Sequence, residues 1–293
     1  MSTNVSPARR DEQLPEPAPE PIFTTDITPP QGWAPLKLTS LWHYRELLYF
    51  LIWRDIKVRY KQTALGALWA ILQPLTAMVI FTIVFGHFAK IPSEGAPYPI
   101  FSYCGLLPWT FFAYAIGQSA DSLIGNANLI SKVYFPRLII PIAAALAGLL
   151  DLAIAFLVLL GMMLFYGIAP TAAIVTLPLF LVLALAAALA MGIWLSALNV
   201  QYRDVRYTVP FLLQIWLYAT PIVYPGGLIQ GPLHQILALN PMTGVVDGFR
   251  WAILGKSSLD GGSLVISSAV TVVVLLTGLY YFRRMEQRFA DVV

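Results

Sequence analysis

Charged residues are scarce in this chain. They make up 11% of its 293 residues, against roughly 25% in soluble domains, while 58% are apolar. That balance excludes an ordinary soluble domain and suits a lipid bilayer. Cysteine is nearly absent. The single Cys104 excludes an internal disulfide and any cysteine-based zinc cluster. The three histidines, His43, His87 and His234, are far apart and form no ligand pattern. The N-terminus lacks the apolar run of a signal peptide: residues 1–35 hold eight prolines. Such a segment buries too little apolar surface to fold, so residues 1–38 are expected to be a disordered cytoplasmic tail. A nucleotide site is also missing. Gly255-Lys256-Ser257 imitates the end of a P-loop, but Arg250 stands where the motif needs glycine. No cofactor is expected on this chain, and any ATP it uses must be held by another one.

What the chain does have is apolar runs of membrane-crossing length, about 20 residues each. Six are read, near 66–88, 100–121, 138–165, 173–198, 207–224 and 263–282; the fifth contains Pro210 and Pro221. An even number puts both termini on one side. The cations agree. Arg9, Arg10, Lys37, Arg45, Arg54, Lys57, Arg59 and Lys61 precede the first run, and Lys132, Arg137, Arg203, Arg206, Arg283, Arg284 and Arg288 lie at the matching ends of later ones. Only Lys90, Arg250 and Lys256 fall outside. Positive charge stays inside, so this side is cytoplasmic.

Two segments do not read as crossings. Over 39–62, Arg54, Lys57 and Lys61 share one wedge at helical spacing, opposite Leu48, Ile52, Ile56 and Tyr60, with Arg59 close to the apolar side. This is the pattern of a helix lying in the headgroup plane; the plainer reading is a basic topology signal. In 225–261, Pro225-Gly226-Gly227 breaks the fifth run, and Asn240-Pro241 divides two short half-apolar helices. Neither is long enough to cross. A re-entrant hairpin packed on protein is the reading favoured over an external loop.

Asp151 lies mid-way along the third run, where a charge must face protein or water or take up a proton. It reads either as a proton relay or as a carboxyl hydrogen-bonded to a neighbouring helix, and the runs supply no evident basic partner. Aromatic residues collect at the ends of runs. Each suits an interfacial belt, while Trp109, Phe112, Tyr114, Trp216, Tyr218 and Tyr224 together suit a track on which sugar rings stack.

The stretch WRDIKVRYKQTALGALWAILQP, Trp53–Pro74, resembles the ABC-2 type permeases that export bacterial polysaccharides such as O-antigen, capsule and teichoic acid. Gly105-Leu106-Leu107-Pro108-Trp109, the NANLISKVYFP of Asn126–Pro136, the NVQYRDV of Asn199–Val205 and Asn240-Pro241 extend the likeness over about residues 40–290. The resemblance implies an all-α integral membrane protein with an N-terminal interfacial helix, six transmembrane helices and a re-entrant hairpin between the last two, over 63–290. It implies a subunit that is not an enzyme. Such a subunit pairs with a second copy and with two ATPase subunits that carry ATP and magnesium, and exports an undecaprenyl-linked glycan across the inner membrane. Leu129, Ile130, Ser131, Lys132, Val133, Tyr134, Phe135 and Pro136 would dock the ATPase. Trp53, Arg54, Lys57, Arg59, Tyr60 and Lys61 would meet the lipid pyrophosphate at the membrane surface. The competing reading is a proton-coupled carrier or lipid flippase that uses Asp151. A polyprenyl-dependent glycosyltransferase would need a cluster of acids or histidines, which the sequence does not offer.

Overall fold

A computed structural model describes residues 38–61, 66, 68–229, 231–255, 259–286 and 289. The expected tail and the Lys256-Ser257 end of the P-loop look-alike lie outside them. Among the described residues every regular element is helical. In chain order these are α1 (Leu38–His43), α2 (Arg45–Lys61), α3 (Leu68–Phe81, continued by a π-helical stretch to Phe88), α4 (Tyr98–Gly125), α5 (Ala127–Lys132), α6 (Ile139–Phe165), α7 (Leu177–Gln201), α8 (Val205–Ala219), α9 (Pro232–Ala238), α10 (Pro241–Leu254) and α11 (Gly261–Glu286).

Five of these, α3, α4, α6, α7 and α11, are long and apolar enough to cross a membrane. The centre is α4, most of which is buried between α6, α7 and α10. Small residues let the helices close in: Ala184, Ala187, Ala188 and Gly192 of α7 are buried, and Gly192 lies against Ser119 of α4. Without a hydrophobic drive between helices in lipid, this close van der Waals packing holds such a bundle together.

The fifth expected crossing differs from its reading. The run 207–224 is not one helix: α8 stops at Ala219, and its 15 residues reach only about 22 Å, short of the roughly 30 Å hydrocarbon core. Pro221 lacks the N–H that a continuing helix would use, and Thr220 at the C-cap is already extended. Residues 220–225 therefore form an unwound arm leading to the next pair of helices.

That pair matches the expected division. Asn240 caps α10 by accepting from the Met242 N–H at 3.0 Å and also binds α8: Trp216 Nε1 donates to its Oδ1 at 3.0 Å, and its Nδ2 donates to Thr220 Oγ1 at 2.9 Å. Helix α10 is buried against α4, α7 and α11, whereas α9 leaves Leu233 and Ile236 exposed. The N-terminus of α11 is capped by Asp260, whose carboxylate accepts from the N–H groups of Gly262 and Ser263, from Ser263 Oγ, and from His234 Nε2 of α9 at 2.9 Å.

Candidate functional site

Helix α2 packs along α6. Leu51 is buried in a cluster with Ile139, Ile140 and Ala143 at the start of α6. Eight residues further on, Arg59 reaches Asp151, about 18 Å along α6 from Ile139. Arg59 Nη1 lies 2.7 Å from Asp151 Oδ2, and the Tyr60 hydroxyl donates to Asp151 Oδ1. The Arg59 guanidinium also sits 4.2 Å from the centre of the Tyr114 ring. Burial, then the hydrogen bond to Asp151, hold the Tyr60 pKa above its usual value, so the phenol remains a donor. Tyr114 comes close to α6 because residue 148 is glycine; a Cβ there would lie 2.5 Å from the ring.

Arg59, Tyr114, Gly148 and Asp151 form one wall of a cavity of about 290 Å³, lined also by Gln73, Pro74, Trp109, Thr110 and Leu152. The expectation that Asp151 lacks a basic partner is corrected: the partner comes from α2, which precedes all six runs. Arg59 and Tyr60, read as surface groups, therefore face α6, while Trp53, Lys57 and Lys61 remain exposed and Arg54 pairs with its neighbour Asp55 at 2.8 Å.

The aromatic residues divide. Trp109, Phe112 and Trp216 pack on one another with ring centres 5.1–6.4 Å apart. Phe112 is fully buried and Trp109 is 4% exposed. As a member of a track open to sugars Phe112 is corrected; both rings knit α4 to α8 inside one chain, and Trp109 also lines the cavity. Tyr114 is covered by Arg59. Tyr218 is exposed and Tyr224 half-buried.

The NANLISKVYFP segment also has two faces. Ile130 and Phe135, the latter 4% exposed, are buried with Leu51, Leu123, Phe282 and Phe289. Ser131, Lys132, Val133 and Tyr134 point outward, Tyr134 at 73% exposure, while Leu129 and Pro136 are intermediate. The NVQYRDV segment lies beside the end of α4. Asn199 Nδ2 donates to the Ala120 carbonyl at 2.9 Å and to Asp121 Oδ1 at 3.1 Å, and Arg206 Nε is 3.7 Å from Asp121. Arg137 donates to the Glu286 carbonyl, joining the start of α6 to the end of α11.

Sequence reasoning missed Arg250, which it treated as an external exception to the charge rule. The side chain is 1% exposed. Nη1 donates to the carbonyls of Pro221 at 2.6 Å and Tyr224 at 3.3 Å, and Nη2 to Ile222 at 2.5 Å. Nε reaches the Phe101 carbonyl at 3.4 Å, and the guanidinium lies 3.8 Å over the Phe101 ring. Gly105 leaves room for it, since a Cβ there would stand 2.8 Å from Nη2. Arg250 thus satisfies the carbonyls that the unwound arm leaves open, as irregular backbone inside a bundle requires. The available signal was a lone cation within the apolar GVVDGFRWAIL of α10.

Comparison with known proteins bears on what this framework is for. The ABC-2 type transporter family matches residues 46–254. An O-antigen export system permease protein of Myxococcus xanthus is 31% identical over 86% of this chain and 97% of its own length. A permease protein of the same designation from Klebsiella pneumoniae is 28% identical over 87% and 97%. A polysialic acid transport protein of Escherichia coli is 28% identical over 81% and 92%. The family match spans α2 through α10, from the charged helix to the buried arginine, and the chain belongs to the ABC-2 type transporter family.

Proposed function

We propose that two copies of this chain form a two-fold channel in the cytoplasmic membrane through which an ATPase pair drives a lipid-linked polysaccharide. The observation that carries this reading is the kinship with export permeases over almost their whole length. The chain is the permease subunit of an ABC transporter for polysaccharide export, a transport component and not an enzyme. ATP and magnesium would bind on the partner ATPase.

The finer assignments follow from chemistry. Counting α8 with its unwound arm as a sixth crossing keeps both termini on the cation-rich side. It also makes α9 and α10 the re-entrant hairpin. The exposed Ser131–Tyr134 edge is the natural ATPase contact, with Ile130 and Phe135 as its anchors. Exposed Lys57 and Lys61, with Trp53 on the same helix, suit the lipid pyrophosphate. Tyr218 is the aromatic residue best placed to touch glycan, and an undecaprenyl carrier is the expected substrate class.

The test is co-purification of the tagged chain, in mild detergent, with the ATPase expressed beside it. Tyr134→Ala should release the ATPase while leaving the melting temperature of the permease unchanged. If the unaltered chain purifies alone while its ATPase is demonstrably present, and glycan export follows the proton gradient without ATP, the reading fails in favour of a carrier centred on Asp151.

A further inference from the structure

The Arg59–Asp151 pair is out of keeping with its surroundings. The pair is only partly buried, at 35% and 17% side-chain exposure, so it carries part of the desolvation penalty of a sealed ion pair while staying open to exchange. Ionisable residues at membrane depth mark pathways by default. Two details of this pair bear on its role. Each ion has a second partner that does not depend on the first: the Tyr114 ring lies against the Arg59 guanidinium, and the Tyr60 hydroxyl donates to Asp151. Separating the ions therefore leaves neither isolated, unlike an ordinary buried pair. The pair also lies on the wall of a cavity, beside Gln73 and Thr110, which can donate hydrogen bonds, instead of sealed in packing.

From these contacts we propose that Arg59 is an anion-exchange site in which a phosphate group entering the cavity displaces Asp151 as counter-ion. Asp151 then rests on Tyr60, and the guanidinium keeps its place on Tyr114. A phosphate oxygen suits an arginine at least as well as a carboxylate does, through parallel charge-assisted hydrogen bonds. Because Arg59 and Tyr60 sit at the C-terminal end of α2 and Asp151 belongs to α6, the exchange also removes the ionic tie between these helices. The tie to α6 then passes from the ion pair to the Tyr60 hydrogen bond alone. The assignment of the phosphate to a translocating lipid-linked substrate rests on the reading given under Proposed function; the exchange itself does not.

The experiment uses the full chain with its ATPase in phosphatidylcholine nanodiscs, with inorganic pyrophosphate as the probe followed by calorimetry. Asp151→Asn removes the competing charge and should tighten pyrophosphate binding about tenfold, a difference of about 1.4 kcal/mol. Arg59→Gln should abolish that binding. The double variant Arg59→Gln/Asp151→Asn, which leaves no unpaired ion, should fold and still not bind. Equal affinity in Asp151→Asn and the unaltered chain, or binding retained by the double variant, overturns the exchange. Phosphatidylglycerol discs separate the two sources of phosphate. If pyrophosphate binding to Asp151→Asn is lost in these discs but kept in phosphatidylcholine discs, bulk lipid occupies the site and the substrate assignment is overturned. Failure of ATP-driven export would remove the Proposed function while leaving this binding pattern intact.

Discussion

Arg250 is sealed from solvent while Arg59, its side chain 35% exposed, keeps one side open, and the two are held in opposite ways. Arg250 is spent on backbone: its nitrogens serve carbonyls of residues 221, 222 and 224 and reach that of Phe101. Asp247 stands 3.8 Å away, and aromatic and glycine surfaces complete the enclosure. Such a cation has no exchangeable partner, because each carbonyl it left would become an orphan acceptor. Arg59 instead has among its partners the Asp151 carboxylate and the Tyr114 ring, beside a cavity. The lesson is that exposure and the replaceability of its partners together distinguish an arginine spent on backbone from one open to another anion.

The sharpest way to break this comparison is Arg250→Leu. Losing a buried, multiply bonded charge should cost about 3–5 kcal/mol, read as a large fall in the melting temperature of the purified chain, with Tyr218 and Trp216 environments disturbed because the unwound arm is released. A fully folded Arg250→Leu chain with wild-type melting would show that the carbonyls find other donors, and the contrast would collapse.

A double-mutant cycle on Arg59 and Asp151 comes next in size. Each single neutral variant should lower stability by about 1–3 kcal/mol, below the value for a sealed pair, because Tyr114 and Tyr60 remain as partners. The double variant should recover most of it. Additive losses would mean that the two residues act separately.

The smallest expected effect concerns His234 and Asp260, outside the membrane-crossing helices. The hydrogen bond to Asp260 raises the His234 pKa above 6.5. Bonds from Ser263 first, and then from His234, lower that of Asp260 to about 2. A raised histidine pKa stabilises the fold fully below 6.5, and the gain fades as pH rises through the folded value. A lowered carboxyl pKa stabilises above 3.8 and fades as pH falls toward 2. The tie between α9 and α11 is thus strongest between about pH 4 and 6.5. Both groups are near solvent, so the gain is about 1 kcal/mol or less. Melting curves of the chain and of His234→Gln should differ most in that window and converge above pH 8.

Much of the architecture was legible in the sequence because bilayer physics is one-dimensional: length and apolarity mark crossings, and cation position marks sides. The run 207–224 misled because hydropathy does not register where a proline stops hydrogen bonding. The helical wheel set Lys57 in the cationic wedge and Arg59 close to the apolar side, and the structure leaves the first exposed and brings the second to α6; what the wheel did not name was the partner, Asp151.

By itself, then, the sequence determined an all-helical membrane chain, six apolar runs of which five are long helices in the structure, the short-helix pair divided at Asn240-Pro241, and membership in a family through Trp53–Pro74. The tertiary structure alone decided that α2 delivers a partner to Asp151 across 91 residues and that Arg250 completes the arm after α8. It also decided that Trp109 and Phe112 are packing residues. The physical reason is that a charge or ring acquires its role from the groups within a few ångströms of it. In a helical bundle those groups come from segments that no local pattern links.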